Sequence, residues 1–315
     1  MGAVFVAVTK LFLISLLGFF LYRRNLVKEG GLRFLTFLVI NYTVPCLIFS
    51  NLIENAQIVL AHSLAIFIVL SFCIFLLGYI LGFLATLKKE PGLRSQFISV
   101  VSFQNCGYLP ITIAFFLFPP GLRENFLVFN FLYLLGFNII FWSIGSSFIF
   151  KRADVKFRLK GLFVPPITST IVALGLVYAQ AAKFIPPLLI SPLKIVGETS
   201  FVLSAVILGC WLARVELRGF SKRLFLISQA TILKLIVLPL LFLIGVVSFK
   251  LFSLLGLFII LQAAMPSAIS LPIVANLRGA DSEFISEGVF FTHIVSIFTI
   301  PLWVGLYLKL SGFSF

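Results

Sequence analysis

Two polar stretches interrupt long apolar runs, and they hold most of the side chains that could bind a solute. A proline inside a helix removes one amide donor and clashes with the carbonyl group one turn earlier. Freed backbone groups need partners in hydrocarbon, so such a break survives only where it faces protein or water. The candidate binding residues are the prolines of these stretches and their small or polar neighbours: Gln104, Asn105, Gly107, Pro110, Pro266, Ser270 and Pro272.

Two kinds of binding chemistry are open to these stretches. The N-terminal ends of half-helices present free amides and a positive dipole end to an anion. Unwound carbonyl groups and amide side chains can hold a cation instead, and Gln104, Asn105 and Gln262 suit that role. The alternative is that these side chains only join neighbouring helices by hydrogen bonds. The occurrence of two such stretches at equivalent places in the two halves favours a binding site.

Charged residues inside apolar runs are the second group of candidates, because a charge at the bilayer centre costs several kcal/mol unless it has a partner or a function. Glu198 is read as the only carboxylate well inside a span, and it is the best candidate for a proton carrier or cation ligand. The alternative is a structural ion pair with Lys194 or Lys234, and both interpretations stay open. His293 is expected to be a hydrogen-bonded packing residue.

Enzymatic motifs are absent from the sequence. It contains no His-Glu-x-x-His, Gly-x-Ser-x-Gly, P-loop or paired aspartates, and it has only two histidines. We therefore expect no enzyme, no catalytic residue, no metal site and no cofactor, with sodium or a proton left open as a coupling ion. The four cysteines fall inside apolar runs, where they act as small packing residues.

The composition indicates the elements that must position these residues. Of the 315 residues, 61% are hydrophobic and 11% are charged, and the mean hydropathy is +1.18. Soluble domains are about 45–50% apolar and about 25% charged. A soluble domain, a disordered chain and a nucleic-acid binder are therefore excluded. We predict an all-α integral membrane protein.

Ten transmembrane spans are predicted, each long enough to cross a bilayer. They lie at residues 3–22, 32–53, 58–87, 95–118, 126–150, 162–182, 188–213, 224–248, 253–277 and 285–309. Span 3 is either a tilted helix or one with an interfacial start. Seventeen lysine and arginine residues lie in alternate connections and four on the opposite side. This distribution places the basic loops in the cytoplasm and both termini outside, in a cell (inner) membrane.

A basic connection at 151–161 divides the chain into residues 1–150 and residues 162–315. Each part contains five spans, and because five is odd the second enters the membrane from the opposite side. We therefore predict two inverted five-helix repeats, with broken spans 4 and 9 crossing near the midplane. Inverted repeats with a midplane site are the usual architecture of secondary transporters.

Several segments resemble the auxin efflux carrier family. Residues 263–268, 275–281 and 292–303 are similar to its C-terminal signature, and Asn105, Gly107 and Pro110 resemble its crossover motif. Lys234 to Pro239 looks like its basic-residue-then-proline stretch, and Pro45 like its proline in span 2. Gln104 departs from the usual Gly or Pro, and residues 277–279 lack the usual aromatic residue before the glycine.

The resemblance implies a fold similar to that of bile-acid–sodium symporters and sodium–proton antiporters. Spans 1, 2, 6 and 7 would form a scaffold, and spans 3–5 and 8–10 a transport unit. The crossover asparagine falls on Asn105, and the crossover prolines fall near Pro110 and Pro272. Family members move small organic anions such as auxin, malate or malonate, mostly outward, and the short central loop is typical of prokaryotic members.

We therefore expect a carrier that exports a small organic anion by alternating access. The alternative is a sodium- or proton-coupled symporter of the bile-acid type. The expected partners are the anion and the lipid bilayer, with no nucleic acid, and a homodimer is left open.

Overall fold

The computed structural model describes residues 2–141, 164–215, 220–277 and 282–313. These residues form helices and contain no strand. In chain order the helices are α1 (Gly2–Arg23), α2 (Glu29–Leu38), α3 (Val44–Glu54), α4 (Ala56–Ala61), α5 (Leu64–Ala85), α6 (Pro91–Ser102), α7 (Tyr108–Leu117), α8 (Leu122–Ile139), α9 (Pro165–Tyr178), α10 (Pro187–Arg214), α11 (Phe220–Ile232), α12 (Leu238–Ser248), α13 (Leu254–Ala263), α14 (Leu271–Leu277) and α15 (Glu283–Ser311). The predicted connection at 151–161 and the loop residues 278–281 lie outside the described residues.

Six helical segments in the described ranges are long and apolar enough to cross a membrane. They are Val4–Arg23, Glu29–Glu54, Leu64–Ala85, Pro187–Arg214, Arg223–Ser248 and Glu283–Ser311. Three shorter apolar helices accompany them: α7, α9 and α13. These findings confirm the all-helical membrane class. Predicted span 3 is divided, because the extended backbone at His62 and Ser63 separates α4 from α5.

Two π-helical segments precede prolines inside long helices. Val39–Thr43 joins α2 to α3 before Pro45, and Leu233–Val237 joins α11 to α12 before Pro239. A proline inside a helix frees the carbonyl group four residues earlier and clashes with it. For Pro239 that group belongs to Leu235, and the indole N–H of Trp303 donates to its oxygen at 2.7 Å. A side chain of α15 thus replaces the missing backbone donor.

Close helix packing defines a first group of helices, which contains α1, α3, α9 and α10. Helices α1 and α10 meet at Gly18 and Gly209, where an added methyl group would overlap the backbone of the facing helix. The thiol of Cys210 donates to the carbonyl oxygen of Gly18 at 3.2 Å. Helix α9 is joined to α3 by the Ser169 hydroxyl, which donates to the carbonyl oxygen of Pro45 at 2.7 Å.

A second group packs around α5 and α15. Helix α5 lies against α6 and α8, and a Cβ at Gly78 would stand 2.8 Å from the Cα of Ser102. Helix α15 packs against α6, α11, α13 and α14. The groups touch where α15 and α7 meet α1, and where α7 meets α10. There the Thr112 hydroxyl donates to the Phe201 carbonyl oxygen at 3.2 Å, and the rings of Phe115 and Phe201 stack with centroids 4.5 Å apart.

Candidate functional site

The interruption between α6 and α7 meets the interruption between α13 and α14. The Asn105 N–H donates to the carbonyl oxygen of Pro266 at 2.7 Å, and the Ala268 N–H donates to that of Phe103 at 3.1 Å. These two bonds enclose an antiparallel bridge between the segments. Backbone groups that leave a helix need other partners when they are buried. Here each unwound segment supplies partners to the other, so the pairing holds the two segments together. We call this place, formed by residues 103–107 and 264–270, the crossing.

Proline placement explains why the helices resume where they do. Pro110 is the third residue of α7, and Pro272 is the second residue of α14. Amides in the first turn of a helix have no intrahelical acceptor, so proline is tolerated there. Pro266 lies in the unwound segment itself, where its missing N–H breaks no helical bond. The three prolines thus favour helix starts after each interruption.

Asn105 is buried at the crossing and bonded to α15. Its side-chain nitrogen lies 3.2 Å from Nε2 of His293, and Nδ1 of His293 lies 2.8 Å from the Val289 carbonyl oxygen. A carbonyl oxygen only accepts, so Nδ1 carries the imidazole hydrogen and Nε2 accepts from Asn105. His293 is therefore a neutral, hydrogen-bonded residue that orients the Asn105 amide.

Gln104 is fully buried beside Asn105 and bonded to α8. Its side-chain Nε2 donates to the hydroxyl oxygen of Tyr133. Its Oε1 has no hydrogen-bond partner within the described part of the chain. A buried acceptor without a partner is costly, at about 1–3 kcal/mol, and such groups call for a water, an ion or a ligand.

Ser267 is the residue of the second interruption that pairs with Gln104 in the antiparallel bridge. Its hydroxyl donates to the Val100 carbonyl oxygen at 2.6 Å, and its N–H donates to the Thr292 hydroxyl oxygen at 3.3 Å. Thr292 and His293 are neighbours on α15, so that helix contacts both unwound segments. Sequence reasoning missed Thr292 and Ser267 as parts of the crossing.

Gln262 lies one residue before the end of α13, and it is fully buried. Its Nε2 donates to Oδ1 of Asn130 on α8 at 2.7 Å. Gln262 Oε1 and Asn130 Nδ2 have no partner among the described residues. Helix α8 thus bonds both stretches, through Tyr133 to Gln104 and through Asn130 to Gln262, and sequence reasoning named neither of its residues.

Lys234 is the charged residue nearest to the crossing among the candidates. It lies on the second π-helical segment and is fully buried, and its Nζ has no hydrogen-bond partner within the described residues. The segment packs against α5, α6 and α15.

Four positions at the crossing are partly accessible, although their neighbours are buried. Gly107 and Tyr108 begin the return to helix on one side, and Ser270 and Pro272 do so on the other. A solute that reaches the crossing would meet these residues first. The predicted residues of the two stretches thus come together in space, with polar atoms inside and an accessible edge.

A family model covers both halves of the chain. Residues 3–154 and residues 149–304 match the family described as Membrane transport protein. The chain belongs to the auxin efflux carrier family. Proteins of this family are transporters rather than enzymes. No curated protein matches the carrier.

Glu198 and Lys194 form no hydrogen bond or ion pair with the described residues of the crossing. Both are on α10, and Lys194 pairs with Glu54 at 2.7 Å rather than with Glu198. Glu198 is half-buried, next to Gly197, where α10 approaches Leu47. The structure therefore brings neither residue together with Asn105 or Lys234.

Glu287 is a buried carboxylate near the start of α15 that was not among the sequence candidates. The Glu287 side chain is fully buried in α15, and Nε of Arg223 donates to its Oε2 at 2.8 Å. Arg223 also pairs with Glu283 at 2.8 Å. Glu283 and Glu287 are four residues apart and share a helix face. The signal available in the sequence was this spacing of two glutamates, together with the basic residues at the start of α11, which could have indicated an ion pair between the two helices.

Proposed function

We propose that this membrane transporter is a carrier for a small organic anion, and that it exports the anion by alternating access. The observation that carries the proposal is the crossing itself, where the buried oxygens Gln104 Oε1 and Gln262 Oε1 have no partner among the described residues. The proposed site consists of Gln104, Asn105, Gly107, Pro110, Pro266, Ser270 and Pro272, with Lys234 as a nearby charge.

The start of α7 suits a carboxylate. The first-turn amides of a helix have no intrahelical acceptor, and the dipole places partial positive charge there. Gly107 precedes this turn and adds no side chain, so an anion can approach the amides of Tyr108 and Leu109. The electrostatic attraction for the anion would come from the start of α7 and from Lys234.

The topology that we propose is ten spans in two inverted five-helix repeats, residues 1–150 and 162–315. Span 4 comprises α6 and α7, and span 9 comprises α13 and α14. The basic loops would face the cytoplasm and both termini the outside. A negative-inside potential then favours anion exit by about 2.3 kcal/mol per charge per 100 mV, so export needs no coupling ion.

Two bodies would move against each other during transport. The group that contains α1, α3, α9 and α10 corresponds to spans 1, 2, 6 and 7, and we assign it as the scaffold. The group around α5 and α15 carries the crossing, and we assign it, with α7, α8 and α11 to α14, as the mobile unit. A homodimer through the scaffold is compatible with this arrangement.

Flux measurements in proteoliposomes test the proposal. Purified carrier should transport at least one of pyruvate, phenylacetate, malonate and malate, and the substitution Asn105→Ala should abolish that flux while the protein still folds. Asn41→Ala is a matched control, because the Asn41 amide donates only within its own helix, to the Phe37 carbonyl oxygen at 2.8 Å. Equal flux in the wild type and the Asn105 variant would refute the site assignment.

A cation-coupled symporter is the second candidate, and two buried amide oxygens favour it. Gln104 Oε1 and Gln262 Oε1 lack partners in the described residues, and oxygen atoms are ligands for sodium. This function predicts that flux requires sodium or a proton gradient and that Gln262→Leu removes the requirement. Flux that is unchanged on replacing sodium by choline and on collapsing the pH gradient would exclude it.

A further inference from the structure

Lys234 places its Nζ in the interior of the mobile unit, with no hydrogen-bond partner among the described residues. The Lys234 side chain is fully buried, at 0% solvent accessibility. An isolated buried charge costs several kcal/mol, so a protein that retains one obtains something from it.

Two arginines of the mobile unit, near the starts of α8 and α11, are paired with carboxylates. Arg223 pairs with Glu283 and Glu287, and Arg123 pairs with Glu124 at 2.8 Å. His293 is neutral by its hydrogen bonds, as described above. Lys234 is thus a fully buried lysine near the crossing whose Nζ has no partner among the described residues, and a bound carboxylate would supply that partner.

We propose that Lys234 is ionised in the empty carrier, that it is the counter-charge of the transported carboxylate, and that it moves across the membrane with it. This inference rests on the proposed anion transport. Lys234 need not touch the substrate, because a charge acts over several ångströms in a medium of low dielectric. Its π-helical segment packs against α6, which ends just before Asn105, and against α15, whose His293 bonds Asn105, so it acts as a positioning residue.

The proposal fixes which step of the cycle responds to voltage. With one carboxylate bound, the mobile unit carries no uncompensated charge and crosses without doing electrical work. The empty unit carries one positive charge, and a negative-inside potential draws it back inward. In the exchange of one anion for another, the mobile unit crosses the membrane only with an anion bound, so the exchange rate should not depend on voltage. Net export includes the return of the empty unit, so its rate should depend on voltage.

The test compares pyruvate exchange with net pyruvate efflux in proteoliposomes that hold wild-type carrier. Potassium gradients with valinomycin set the potential at zero or at about 100 mV. A full charge changes a barrier by about sevenfold when it is halfway across at the transition state. We expect net efflux to change by about sevenfold and exchange to change by less than about twofold.

Malonate is the second probe, because it brings one carboxylate more than Lys234 can neutralise. Its exchange should keep the voltage dependence of a single charge. In the Lys234→Met variant, the rate of pyruvate exchange should show the voltage dependence of one charge. The rate of malonate exchange should show the voltage dependence of two charges. Lys234→Arg keeps the charge and should behave as the wild type. Lys10→Met is the control, since Lys10 is an exposed lysine on scaffold helix α1.

Each outcome decides the proposal. Exchange and net efflux that respond equally to voltage would overturn it, because the loaded unit would then be charged. If neither exchange nor net efflux responds to voltage, the anion is exported together with a proton. The proposal of a fixed counter-charge at Lys234 is then wrong. A wild-type carrier that moves neither probe nor any other carboxylate contradicts the proposed function and this inference together, whereas transport with the wrong voltage pattern contradicts only this inference.

Discussion

At the scale of single residues, the pair Asn105 and His293 joins the first interruption to α15. The imidazole holds its hydrogen on Nδ1 for the Val289 carbonyl oxygen, so Nε2 can only accept. The amide of Asn105 therefore points its nitrogen at His293 and turns its oxygen elsewhere. A residue 188 positions away in the sequence thus decides which atom of Asn105 is free for a solute.

We predict that His293→Ala reduces transport while His293→Gln largely restores it. The alanine leaves a buried amide donor unpaired, at a cost of about 1–3 kcal/mol, and frees Asn105 to rotate. Glutamine can supply an acceptor oxygen in place of Nε2. The initial rate of flux should fall by about fivefold to 100-fold in the first variant, according to that cost. Equal rates in both variants would show that the orientation of Asn105 is irrelevant.

Single residues also show what the sequence could not reveal. The candidate side chains of both stretches were predictable, because prolines and amides stand out in an apolar background. Their partners Tyr133, Asn130 and Thr292 were not, since a polar residue in a helix is equally compatible with an outward or an inward face. Glu287 was overlooked for a related reason, as its partner Arg223 lies on a different helix.

At the scale of elements, prolines shape the helices through the carbonyl groups that they free. The π-helical segment before Pro239 widens the helix, and Trp303 of α15 donates to the freed oxygen of Leu235. The sequence marks the proline, but it does not indicate which donor compensates for it. That donor is 68 residues away, on a helix whose position depends on the whole packing.

We predict that Trp303→Phe destabilises the carrier and that the loss depends on Pro239. Removing the indole N–H leaves the Leu235 oxygen buried without a donor, at about 1–3 kcal/mol. In a Pro239→Ala background the alanine amide can donate to the same oxygen, so Trp303→Phe should cost less. Thermal unfolding of the two single variants, the double variant and the wild type measures this coupling. Strictly additive effects would contradict it.

At the scale of the whole molecule, glycines separate two kinds of contact. Gly18 and Gly209 bring α1 and α10 so close that sliding would cause backbone overlap. The contact between α7 and α10 is different in kind, since it consists of stacked rings and one hydroxyl hydrogen bond. Stacked rings can part at small cost, at about 0.5–1.5 kcal/mol beyond the area they bury. This contact is the expected sliding surface.

We predict that covalent linkage across this surface stops transport. In a carrier whose native cysteines are replaced (Cys46 is kept only for the control), Phe115 and Phe201 are changed to cysteine and joined by a bifunctional methanethiosulfonate, which forms a reducible disulfide with each thiol. Flux should disappear on linkage and return on reduction, because α7 can then no longer move past α10. The control links Ser169→Cys to the native Cys46 within the scaffold, and its flux should persist. Undiminished flux in the linked first variant would mean that the two helices move together, and the division into scaffold and mobile unit would have to be redrawn.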